Sequence, residues 1–249
     1  MIILKNHDEI SKMRKAGKIV GETLLLLEKE VKPGVTTANL DRIAEEFITK
    51  HGAKPSFKGL YGFPSSLCIS VNEQVIHGIP GNYSLQEGDI VSIDCGACIE
   101  GFHGDAARTF PVGNVSEAAQ KLIDITEQSF FEGIKYAKEG NRLSDISHGI
   151  QSYVEAAGFS VVRDFVGHGI GREVHEDPNV PNFGKCGKGP KLLEGMVLAI
   201  EPMVNAGTYK VKTLRDRWTV VTADKSLSAH YENTVAILSD GPEILTLIK

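Results

Sequence analysis

Apolar residues recur at helical spacing from about Asp8 to Val31, with Ile10, Met13, Ile19, Val20 and Leu24 forming one stripe, and predict a first helix. Pro33-Gly34 breaks it. Thr37 is placed to cap a second helix that reaches about His51 and stops at Gly52. The pattern then changes to strand-like runs separated by Gly and Pro: Cys68 to Val71, Asp89 to Cys95 and Phe102 to Val112. Ser116 opens a long helix to about Ala137, and Ser144 opens another to about Ala157, ended by Gly158. Strand-like runs return at Val161 to Val166, Met196 to Ala199, Thr219 to Thr222 and Tyr231 to Ile237.

Two helices followed by strands thus occur twice, and matched residues point to a repeat. Lys32-Pro-Gly34 matches Lys138-Glu-Gly140, and the same offset of 106 pairs Leu40 with Ile146, Ile48 with Val154 and Gly52 with Gly158. Farther on, Leu85-Gln-Glu-Gly88 matches Leu192-Leu-Glu-Gly195 at an offset of 107, which brings Asp94 onto Glu201. His77-Gly-Ile79 echoes His168-Gly-Ile170 at an offset of 91. No Pro/Gly/Ser-rich linker divides the chain. The expectation is one α+β domain over residues 1–249, with related halves at roughly 8–113 and 114–238. A site at their junction would draw similar ligands from both.

Composition removes several classes of function. With 41% hydrophobic and 24% charged residues in 249, disordered and fibrous architectures are excluded. A net charge of −5 argues against nucleic-acid binding. The densest basic stretch, Lys210 to Arg217, also holds Asp216 and reads as a solvated hairpin. No apolar run approaches the ~18 residues of a membrane span. Met1-Ile-Ile-Leu-Lys lacks the regions of a signal peptide, so a cytoplasmic location is expected. Cysteines 68, 95, 98 and 186 are too sparse for a disulfide framework. Cys95-Gly-Ala-Cys98 has redox-motif spacing but no second pair to complete a zinc site, and Arg172 spoils the dinucleotide pattern in Gly167-His-Gly-Ile-Gly171. No GxSxG elbow is present.

The acids are more informative. Asp94 ends the apolar run Ile90-Val-Ser-Ile-Asp94, and Glu201 ends Met196-Val-Leu-Ala-Ile-Glu201. A carboxylate at the end of a buried strand is costly unless paired or metal-bound. If Glu100-Gly101 is a two-residue hairpin turn, Asp94 faces Ala107 and Asp105 faces Gly96, and both acids share one sheet face. Such a pair repels unless a cation lies between. With His168 in Val166-Gly-His-Gly-Ile-Gly171 and Glu232 in His230-Tyr-Glu-Asn-Thr-Val235, the candidate set is four carboxylates and one imidazole. That donor set suits Mn, Fe or Co, with Zn also acceptable. Four carboxylates exceed the charge of one dication, so two divalent ions ~3.5–4 Å apart are expected.

The ordered motifs His77-Gly-Ile-Pro80, Asp94 with Asp105 eleven residues on, Gly167-His-Gly-Ile-Gly171, His175-Glu-Asp-Pro178, Ala199-Ile-Glu-Pro-Met203 and Tyr231-Glu232 resemble those of methionine aminopeptidases, over nearly the whole chain. The resemblance implies the pita-bread fold, with two pseudo-symmetric halves around an antiparallel sheet and helices on its outer face. It implies that Asp94, Asp105 and Glu232 hold one metal and Asp105, His168, Glu201 and Glu232 the second. By the same resemblance His175 contacts the scissile carbonyl, His77 hydrogen-bonds near the substrate's amide nitrogen, and Glu201 handles the water's proton. Candidates for an apolar methionine pocket are Phe57, Leu60, Phe63, Cys68 and Trp218. Leu60 and Phe63 stand where tyrosines are common, and Asn233 where histidine is frequent. The length matches the short, type I form. The implied activity is removal of the initiator methionine from nascent chains with a small second residue, by a monomer in transient contact with the ribosome. Two other readings are a prolidase-like Xaa-Pro peptidase, generally a longer chain, and a metal-free peptide-binding relative, which the intact ligand set disfavours.

Overall fold

The computed structural model describes residues 1–248. Among them, helix α1 (His7–Glu30) begins at a reciprocal cap, in which the Asn6 side chain accepts from the Glu9 amide and Glu9 accepts from the Asn6 amide. Its expected stripe is buried. Helix α2 (Thr37–Lys50) is capped by Thr36 rather than Thr37, whose hydroxyl instead donates to the Gly81 carbonyl and accepts from the Gly81 amide. Helix α3 (Glu117–Ile134) starts at the Ser116 cap as expected. Helix α4 (Leu143–Ala156) starts one residue before Ser144. The Ser144 hydroxyl is engaged across the fold, donating to the Lys188 carbonyl and accepting from its amide, so the Asp145 carboxylate caps the helix by accepting from the Arg142 amide.

The strands are β1 (Lys54–Pro55), β2 (Leu67–Val71), β3 (Gln74–Ile76), β4 (Ile90–Ile99), β5 (Phe102–Pro111), β6 (Ser160–Val161), β7 (Gly167–Gly169), β8 (Glu176–Val180), β9 (Val197–Ile200), β10 (Met203–Asn205), β11 (Val211–Thr213), β12 (Val220–Thr222), β13 (Ser228–His230), β14 (Asn233–Leu238) and β15 (Gly241–Ile244). Among the described residues they form four sheets, all antiparallel. The strand expected over 161–166 is reduced to β6, because only its start pairs, with β10.

Two sheets matter for the site. The β4–β5 hairpin turns at Glu100 and Gly101, both at positive φ, and sets Asp94 opposite Ala107 and Gly96 opposite Asp105, the register a two-residue turn requires. The second sheet runs β15-β14-β9-β7-β8. Helices α1 and α2 pack their apolar stripes with β2 and β4, and α3 and α4 pack theirs with β9 and β14.

The sheets meet along β5. Asp105 and Thr234 bond twice, with Thr234 Oγ1 accepting the Asp105 amide at 2.9 Å and donating to its carbonyl at 2.8 Å. Ala107 and Glu232 exchange both backbone bonds, at 3.0 and 3.3 Å. Thr109 Oγ1 accepts the His230 amide and donates to its carbonyl, each at 2.9 Å. This seam, at two-residue spacing on both sides, projects side chains from β5 and from residues 230–234 into one volume.

Candidate metal centre and adjoining pocket

All twelve residues named above as metal-binding, catalytic or substrate-binding line one cavity of about 240 Å³: Phe57, Leu60, Phe63, Cys68, His77, Asp94, Asp105, His168, His175, Glu201, Trp218 and Glu232. Tyr61 joins them. Each arrives from a different local cause. Asp94 and Asp105 come from the hairpin, and Cys68 is the β2 partner of Asp94. His168 sits in β7 between glycines that have no room for a Cβ: at Gly167 it would lie 2.3 Å from the Ala199 oxygen, and at Gly169 2.1 Å from the Asp177 oxygen. Glu201 follows β9, and Glu232 precedes β14 at the seam.

His168 Nδ1 donates to the Gly169 carbonyl at 2.9 Å, which turns Nε2 toward the acids, 3.7 Å from Glu201 Oε1 and 4.0 Å from Asp105 Oδ2. One ligand atom from each of Asp105, His168 and Glu232 lies within 4.8 Å of the others, and the same holds for Asp94, His230 and Glu232. Glu232 belongs to both groups. Among the described residues, the buried atoms Asp94 Oδ1, Asp105 Oδ1 and Glu232 Oε1 have no hydrogen-bond partner.

Burial governs the titration of these groups. It pushes the Asp94 carboxyl up to about 7, against the lowering effects of Asp105 and of the Cys95 amide. Burial, followed by the neighbouring carboxylates, drives Asp105, Glu201 and Glu232 well above the ordinary range. Burial and the nearby His175 take His77 and His168 down to about 4, and burial lowers His175 itself. A site of crowded, unpartnered oxygens beside neutral imidazoles fits divalent cations, whose charge reverses the carboxylate shifts.

The chain matches the model of metallopeptidase family M24 over residues 11–239. It is 77% identical over 249 residues to a methionine aminopeptidase of Clostridium perfringens, with both chains covered in full. It is 56% identical over 248 residues to methionine aminopeptidase 1 of Bacillus subtilis, again at full coverage of both. The crystal structure of methionine aminopeptidase from Thermotoga maritima superposes with a TM-score of 0.98 at 47% identity, covering 100% of each chain. The chain belongs to the methionine aminopeptidases of family M24. A prolidase from Pyrococcus furiosus, at 24% identity, a TM-score of 0.81 and 66% of its own chain covered, shares the fold alone.

Within this methionine aminopeptidase scaffold the apolar wall is a separate small cluster, in which buried Phe57, Phe63, Cys68 and Val174 pack with Leu60, Ile79 and Trp218. Phe63 and Trp218 meet edge to face at 5.1 Å. The segment carrying Phe57 to Cys68 is tied down by α2: the Asp41 carboxylate accepts the Ser66 and Leu67 amides, and Glu45 accepts from Lys58 and Ser66. His77 and His175 line the same cavity. His77 has a φ of 58°, a strained setting for histidine, and meets Phe165 edge-on at 5.9 Å. His175 crosses His168 at 4.5 Å and precedes Glu176, whose buried carboxylate accepts from Lys5 Nζ and from the Arg172 and Glu173 amides.

Two residues escaped the sequence reading. Tyr61, one position from where an aromatic ring was sought, is 76% exposed with φ 51° and stacks on His175 at 5.9 Å, 13° from parallel. Only the left-handed turn puts it there. His230 lies two residues before Glu232, and strand alternation alone would have put it on the same face. At Asn233 the family's frequent histidine is replaced by an amide whose oxygen accepts from Arg108 and from Thr246.

Proposed function

We propose that the chain performs its family's reaction, hydrolytic removal of an N-terminal methionine, with Asp94, Asp105, His168, Glu201 and Glu232 as ligands to two divalent ions. The observation that carries this reading is the single cavity that joins a carboxylate–histidine floor to an apolar wall. When bound, the metal pair supplies a hydroxide near neutral pH and neutralises the clustered acids.

The chain's own residues do the remainder. Phe57, Leu60, Phe63, Cys68 and Trp218 enclose the unbranched methionine side chain, for which a pocket without polar groups is the right solvent. His175 donates from its ring to the scissile carbonyl oxygen as it gains charge. His77 bonds near the substrate's amide nitrogen and holds the peptide in line. Glu201 Oε holds the proton from the attacking water and passes it to the leaving amine. A small second residue is preferred, as the family resemblance implies. The ions are drawn from Co, Mn, Fe and Zn. The protein acts as a monomer on nascent-chain N-termini in the cytoplasm, in transient contact with the ribosome, and its two halves, 8–113 and 114–238, form one domain.

Mass spectrometry of a Met-Ala-Ser peptide and an Ala-Pro peptide, with chelated and then Mn- or Co-loaded protein, tests the reading. Loss of methionine from the first alone, only with metal, is expected. Cleavage of the Ala-Pro peptide alone would move the protein to Xaa-Pro chemistry.

A further inference from the structure

His230 has no role in the reaction as described. It is 2% exposed, and its Nε2 has no hydrogen-bond partner among the described residues. That atom lies 3.6 Å from Glu232 Oε2 and 3.7 Å from Glu201 Oε2. Both separations are too long for hydrogen bonds. They are close to the spacing of two donors on one cation, about 3–3.5 Å for ligand bonds near 2.1 Å. One ring nitrogen of His230 also lies within 4.8 Å of ligand atoms of Asp94 and Glu232, which form a group with it. The backbone there is fixed on both sides of the peptide by Thr109 Oγ1, so the ring is presented and not merely tolerated.

We propose that His230 is a further nitrogen ligand of the metal centre, offering Nε2 to the ion held by Asp94 and Glu232. The inference rests on the metal reading above. It gives each ion one imidazole, His168 on one side and His230 on the other, and so biases both positions toward the nitrogen-tolerant transition metals over Mg or Ca.

Mn(II) binding and pulsed EPR of the full chain test it. His230→Gln should weaken one of the two Mn(II) binding steps at least about tenfold and leave the other unchanged. In His168→Ala protein the nitrogen modulation of a coordinated imidazole should persist, and it should vanish in His168→Ala/His230→Gln. Unchanged Mn(II) binding in His230→Gln, or no nitrogen modulation in Mn-loaded His168→Ala, would overturn the proposal while leaving the five-ligand reading intact. If His168→Ala does not fold, the visible spectrum of the Co(II)-loaded protein decides: bands altered by His230→Gln support the proposal, and identical bands overturn it. A parent chain that binds no Mn(II), or Asp105→Ala protein that binds it as the parent does, would overturn the metal reading and this inference together.

Discussion

The carboxylate floor of the cavity rises from regular structure. Asp94 and Asp105 are held by hairpin register, and His168, Glu201 and Glu232 stand in or beside strands of a second sheet. The apolar wall comes from the irregular segment around Gly59, Tyr61 and Gly62, all at positive φ, and from Trp218 far along the chain. Their energetics are opposite as well. Buried Asp105, Glu201 and Glu232, with half-buried Asp94, oppose folding until a cation joins them, whereas Phe57, Phe63 and Cys68 bury apolar surface and favour it. Rigid elements carry the groups whose placement the chemistry cannot relax, whereas packing, anchored by Asp41 and Glu45 of α2, shapes the pocket.

The sharpest way to break this comparison is to remove charge from the floor. Asp105→Asn should lower cleavage of Met-Ala-Ser at least about 10³-fold. The same change should raise the melting temperature of the metal-free protein by about 2–4 °C for each kcal/mol of repulsion relieved. A fall in both would mean that the acid is a structural element after all. Next in size, Phe63→Ala should cost about 3–5 kcal/mol of stability and reduce kcat/KM for methionyl peptides about 10–200-fold, with metal stoichiometry unchanged in titration.

A pH series separates the two regions without mutation. The carboxyls have folded-state pKa values raised above their unfolded values, so their contribution to stability is complete at low pH and is lost as pH rises through the folded values, about 7 for Asp94. The buried histidines act in the other sense: with folded values near 4 for His77 and His168, their contribution is present above about 6.5 and is lost as pH falls. Between pH 7 and 8 the carboxyls dominate the change, and thermal melts in chelator should show stability falling. Added Mn should abolish that fall, because the ions favour the ionised acids. A flat chelated profile would remove the floor's opposition to folding. The smallest effect is expected at Tyr61, where substitution by alanine should change stability by no more than about 0.5 kcal/mol and lower kcat/KM a few-fold, since the ring touches His175 and little else is buried. A larger stability loss would mean that this exposed ring belongs to the packed wall.

Local chemistry was sufficient for the helix stripes, for the Ser116 start of α3, and for the two-residue turn at Glu100-Gly101 that dictates which face Asp94 and Asp105 share. These depend on residues a few positions apart, and the chain's hydrophobic period reports them directly. The fold and activity were legible because so many motif residues occur in order. What the pattern did not carry were contacts made across long separations. Ser144 left the start of α4 to Asp145 because Lys188 claimed its hydroxyl, 44 residues away. The pairings of Asp105 with Thr234 and of Thr109 with His230 span 129 and 121 residues. No period in either segment announces them, since each strand is complete without knowing its partner. That seam decided that His230 would lie beside Glu201 and Glu232, and a left-handed turn decided that Tyr61, not residue 60 or 63, would stand over His175. Residue types suited to binding metal are written in the chain, but the distance between two of them exists only once the sheets have met.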